Sequence, residues 1–179
     1  MAIGLTALLM AAAGVSGSQP TGHHIVDPRE VIALEAGTWD AVIVAEPRVA
    51  GDKPAMASGV QVNEVRSGGL WMLNRMSVNG GAYEGTGIWG YDPKTGRYPG
   101  VWVDNGTGAI RMDDGDWDAA THTMTWTSRI ELSDGRVIRM RATSTFAGKS
   151  RTYRSFVITD KGDRPLSTVI FTKRADPVR

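Results

Sequence analysis

The chain has 179 residues, 41% of them hydrophobic and 22% charged, enough for one domain with a continuous core and no need of metal or disulfide support. Its 20 Lys and Arg against 19 Asp and Glu give a formal net charge of +1, and the basic residues are scattered, so neither nucleic acid nor an anionic membrane surface is indicated as a partner. There is no cysteine, which excludes thiol catalysis, disulfides and cysteine-bound metal while leaving the compartment open.

Residues 1–22, MAIGLTALLMAAAGVSGSQPTG, carry no charged side chain, and the run from Ala2 to Val15 is apolar and rich in small residues. That resembles the apolar region of a signal peptide, with Ala11-x-Ala13 or Val15-x-Gly17 as a cleavage site, although the usual basic start is missing. The run is too short for a transmembrane span, so no integral membrane segment is expected. The expectation is export, to the periplasm or beyond. A loose N-terminal segment on a cytoplasmic protein is the alternative. Residues 23–179 then form a single domain.

In VDPREVIALEAG, Asp27 suits a helix N-cap, Pro28 the first helical position, and Glu30 the third place of a capping box. Val31, Ile32, Ala33 and Leu34 supply an apolar side, and Gly37 a stop that tolerates a left-handed backbone. Past Gly37 the period changes to two: Trp39, Ala41 and Ile43 alternate with Asp40, Val42 and Val44 as far as Pro47. Strand-like runs follow at 56–66, 69–79, 82–91, 97–105, 107–112, 122–132, 136–146, 151–159 and 166–174, for ten strands in all. The joints SGG, NGG, DPKTG, DNGTG, DDGD, SDG and DKGD have turn chemistry, and most are short enough for hairpins.

A meander of ten strands with one short helix is therefore predicted to be all-β, closing as an antiparallel up-and-down barrel that leaves no exposed edge. The later strands each show one apolar face: Met124, Trp126, Ile130 and Leu132; Ile138, Met140, Ala142 and Phe146; Phe156 and Ile158; Val169 and Phe171. One face of each is dry and the other wet, as a barrel wall requires.

A short helix running into Gly37-Thr38-Trp39 at the head of the first strand resembles the lipocalin and wider calycin signature. The segments GTWD, RSGGLWML, YEGTGIWGYDPKTGRYPGVWVD and GDWDAATHTMTWT are similar to an uncharacterised bacterial family of lipocalin-like barrels, over roughly residues 30 to 174. The resemblance implies a fold and no particular reaction. It also implies that Trp39 plugs the closed end beneath an arginine from late in the chain, for which Arg174 and Arg154 are the candidates; an indole under a guanidinium is favourable in its own right.

Among polar residues, parity with Val60 and Val62 carries Glu64 and Arg66 inward, and parity with Leu70, Met72, Met76 and Val78 carries Asn74. Tyr98, Trp102 and Asp104 share a face, as do Arg154, Phe156 and Ile158. Buried charges need partners, so these form either an internal network or a ligand-orienting set. Trp102 and Trp126 with Met72, Met124 and Met140 would line an adaptable apolar lumen. Gly85, Gly87 and Gly90 would let a strand curve or an aromatic ring lie on the backbone. His23 and His24 fall in a loose tail, His122 sits by a turn, and no histidine pair has metal-ligand spacing, so no metal or cofactor is implied.

Two functions from different classes remain. In the first, a small apolar molecule is bound by Met72, Asn74, Tyr98, Trp102, Met124, Trp126, Met140 and Phe156. In the second, a cofactor-free isomerase, cyclase or lyase uses Glu64 or Asp104 to move a proton while Arg154 or a tyrosine stabilises charge. A barrel filled by its own side chains is a third reading, and self-association as a homo-oligomer stays open in all three.

Overall fold

The computed structural model describes residues 26–47, 49 and 51–175; residues 1–22, His23 and His24 lie outside them. Helix α1 spans Pro28–Glu35, and ten strands follow: β1 Gly37–Ala45, β2 Ala55–Arg66, β3 Trp71–Val78, β4 Tyr83–Gly90, β5 Tyr98–Asp104, β6 Arg111–Asp118, β7 Thr123–Glu131, β8 Val137–Ala147, β9 Ser150–Thr159 and β10 Gly162–Lys173. Each strand pairs antiparallel with the next, and β1 pairs with β10, closing the predicted barrel. Among the described residues no helix is long and apolar enough to cross a membrane.

Helix α1 begins as its sequence directs, with Pro28 at the start and the Asp27 carboxylate accepting from the Arg29 amide at 2.9 Å. The Glu30 amide goes to the Asp27 carbonyl instead of its side chain, so the cap forms one residue earlier than a capping box would place it. The helix turns Val31 and Ile32 into the barrel mouth, against Met72, Trp89, Tyr98, Met124 and Trp126. Burying two such aliphatic side chains contributes about 1.5–3 kcal/mol each, which holds a helix too short to be stable alone. Ala33 and Leu34, expected on the same side, are exposed, and the third inward position belongs to Glu35. The chain then reverses at Gly37, whose φ of +102° is the left-handed geometry that its sequence position suggested.

One strand differs from its expected span. The run predicted at 107–112 is mostly a turn, and the stretch RMDDGDWD, whose DDGD looks like turn chemistry, is strand β6. Local propensity loses here to packing. Gly115 faces the Trp126 ring so closely that an added Cβ would lie 2.7 Å from it, while Asp114 and Asp116 point outward to Arg97.

Candidate functional site

The helix closes one end of the barrel, and the apolar contacts beneath it form a plug. Above the plug lies a buried polar layer. Arg151 on β9 is 3% exposed and Glu35 5% exposed, and their side chains meet at 2.8 Å. Arg151 also donates to the Gln61 side-chain oxygen, and its guanidinium lies 3.9 Å from the Phe171 ring centre and 5.2 Å from that of Trp39. Asn74 donates to Glu35 Oε2 at 3.3 Å and to Asn63 Oδ1 at 2.9 Å. The Glu35 carbonyl, orphaned at the helix end, accepts from both Trp39 Nε1 and Asn63 Nδ2 at 2.8 Å. Arg151 Nε and Asn74 Oδ1 remain buried without a partner.

Over this layer the lumen holds a cavity of about 560 Å³. Its wall is largely apolar, with Trp89, Trp102, Trp126, Met76, Met140 and Phe171, and it is interrupted by Tyr153 and by serines 128, 144, 155 and 167. A barrel filled by its own side chains would have no such space. Trp102 lies flat on β4 because Gly85 and Gly87 leave room for it: a Cβ at these positions would come within 2.2 and 2.6 Å of the ring. This bears out the expectation that strand glycines accommodate an aromatic ring.

A second ion pair stands toward the other end, where Arg111 makes a two-bond contact with Asp113 at 2.8 and 2.9 Å and lies 5.4 Å from the Trp102 ring centre. At the rim, Trp102 Nε1 donates to Tyr83 Oη at 3.1 Å and to Asp104 Oδ2 at 3.2 Å. The other oxygen of Asp104 accepts the amides of Gly106 and Thr107 at 2.9 Å, so this carboxylate shapes the loop that ends β5. Tyr153 lies between the two ion pairs. Burial raises its pKa above the ordinary value of 10.0, against the opposing pull of Arg111. For Arg111, burial opposes the charge, but Tyr153 and Asp113 outweigh it and raise its pKa further.

Burial also pushes Tyr83 and Tyr98 up to about 12 from 10.0. Both phenols therefore stay neutral in the folded protein at pH values where the unfolded chain has already lost the protons. The unfolded state binds fewer protons between about pH 10 and 12, so stability falls across that window and these groups have no effect on it below. Urea midpoints measured up to about pH 12 should show this fall, diminished in Tyr83→Phe. Absorbance showing both phenols ionised near pH 10 in the folded protein would contradict it.

Of the residues predicted to bind a ligand, Asn74, Trp102, Trp126 and Met140 line the cavity. Met72, Met124 and Tyr98 belong to the plug beneath it, with Tyr98 tilted against Tyr91 at 5.2 Å between ring centres. Phe156 does not face the lumen: it lies on the outer wall under Arg141, 4.9 Å from the guanidinium. The proposed catalytic set is not assembled. Glu64 faces outward, where it bridges Arg66 and Arg75, and Arg154 is exposed. In β2 the inward residues are Gln61 and Asn63, and in β9 they are Arg151, Tyr153 and Ser155, one position away from those expected. Arg174 is likewise outside, bonded to Asp40 at 2.6 Å. The cations over Trp39 are Arg151 and Lys173. Exposed His122 stacks on Trp117 beside a turn, and no group of three or more potential metal ligands occurs among the described residues.

Fold and site together define a closed ten-strand antiparallel barrel, capped by a helix and enclosing a lumen with a buried ion pair at its base. Residues 26–169 match DUF1579, a protein family of unknown function, and the chain belongs to that family. No curated protein matches it. Among solved structures, Rv2717c from M. tuberculosis is similar at a TM-score of 0.63 and 10% identity, covering 84% of this chain and 99% of the other. At that identity the likeness concerns the fold alone. A redesigned β-barrel, b11L5F_LGL, aligns over 81% of this chain and 96% of its own at 11% identity, with a TM-score of 0.39.

Proposed function

We propose that this protein binds a small, largely apolar or aromatic molecule inside the barrel, as a lipocalin-like carrier or receptor. The observation that carries the reading is the cavity of about 560 Å³, of a size suited to small ligands, with tryptophan and methionine in its walls and polar side chains set among them. The two ion pairs favour binding over proton transfer: Glu35 and Asp113 are each engaged by a guanidinium, and neither becomes a base without breaking that contact. The apolar run at residues 2–15 supports export as the setting.

Native mass spectrometry of the purified protein, with extraction of small molecules, tests this. A bound molecule near one per chain is expected. Gly85→Ala should lose it while keeping a β-sheet spectrum, because the new methyl drives the Trp102 ring off β4 and into the lumen. An empty wild-type protein that also fails to enhance the fluorescence of phenylnaphthylamine, an uncharged apolar dye, would overturn the reading.

A further inference from the structure

We infer that the ligand of this lumen is uncharged, an inference that rests on the binding reading above and adds the chemical class. The ionisable carboxylates and guanidiniums lining the cavity, among the described residues, are Glu35, Arg111, Asp113 and Arg151. They cancel in two local pairs, Arg151 with Glu35 at 2.8 Å and Arg111 with Asp113 through two bonds.

Each arginine is held by its own carboxylate, although Arg151 Nε has no partner. Arg151 gives one terminal nitrogen to Glu35 and the other to Gln61, and its flat face lies on Phe171. Arg111 gives Nε and Nη2 to Asp113, and its face lies against Trp102. An anionic ligand would bring a further negative charge to guanidiniums that each already hold a carboxylate, leaving the buried lumen with a net charge that no group of its lining balances. A cationic ligand meets the mirror image of the same problem.

Beside the two pairs the lining offers neutral polar groups. The Tyr153 hydroxyl lines the cavity between the two pairs, and Ser128 and Ser144 add hydroxyls to the wall. These donate to or accept from a carbonyl, ether or hydroxyl without asking the site to hold a net charge. The lumen is thus polar at defined points and electroneutral throughout.

Two dyes with the same aromatic body separate charge from shape: phenylnaphthylamine, which is neutral, and anilinonaphthalene sulfonate, which carries one negative charge. Titrated into the full chain, the neutral dye should bind at least about tenfold tighter. Asp113→Asn leaves Arg111 uncompensated and should move the affinity ratio at least about tenfold toward the sulfonate, whereas Arg111→Met should move it the other way. Opposite shifts are a signature that loss of packing does not produce, and either variant suffices if the other fails to fold. Equal or tighter binding of the sulfonate by the wild type, or a ratio that neither variant moves, would overturn the inference while leaving the binding reading intact. Failure of both dyes to bind would remove the two together.

Discussion

Arg151→Met should destabilise the barrel by about 3–5 kcal/mol, because it strands the Glu35 carboxylate in the interior. The surroundings offer little compensation. Asn74 reaches Glu35 Oε2 with one donor at 3.3 Å, and the other neighbours of that carboxylate spend their donors on its carbonyl or elsewhere. The effect belongs to the uncompensated charge and not to the value of the pair, so Glu35→Gln combined with Arg151→Met should recover most of the loss. Urea denaturation of the single and double variants measures this. A double variant as unstable as Arg151→Met would assign the loss to the aromatic contacts with Phe171 and Trp39.

Trp39→Ala is the second large effect, also about 3–5 kcal/mol. The indole is 1% exposed, packs with Ala41, Val169 and Phe171, and donates to the Glu35 carbonyl at the end of α1. Its removal opens a void in the closed end and leaves the guanidinium of Arg151 without one of its two aromatic neighbours. The same hydrogen bond ties the helix to the barrel, so helix and wall should loosen together in hydrogen exchange. An unchanged denaturation midpoint would reject the plug.

Strand number, closure and the short helix were readable in the amino-acid sequence because each rests on local signals: turn residues at the joints, period-two runs and a clear helix cap. The inward faces of β7, β8 and β10 were readable for the same reason, since Met124, Trp126, Ala142, Phe146, Val169 and Phe171 are apolar and buried. The rule fails in β2 and β9, whose inward residues are polar. Hydrophobic alternation assigns Val62 and Phe156 to the interior and so inverts both strands, which moves Glu64 and Arg154 to the wrong side of the wall. These are the strands that supply Gln61, Asn63, Arg151 and Tyr153 to the lumen, so the exceptions coincide with the candidate site.

Glu35 was missed for a related reason. A glutamate at a helix end ordinarily faces water, and the partner that keeps it inside lies on β9, brought close by the topology. One signal did exist: Glu35 stands four residues after Val31 and three after Ile32, on the helical face that those two define. The Arg111–Asp113 pair was hidden in a segment whose composition reads as a turn, and which pairs as a strand with β5 and β7 while Gly115 approaches Trp126.

The seam between β1 and β10 has a consequence for how the molecule comes into being. Trp39 is paired in register with Lys173, so β1 waits for β10, more than a hundred residues later in synthesis, before its outer edge is satisfied. Until then β1 and β9 present open edges able to recruit other chains, and the long sequence separation of the closing contact slows the final step. Closure also brings Phe171 of β10 onto the guanidinium of Arg151, so the last strand to pair covers the interior ion pair as well as the open edges.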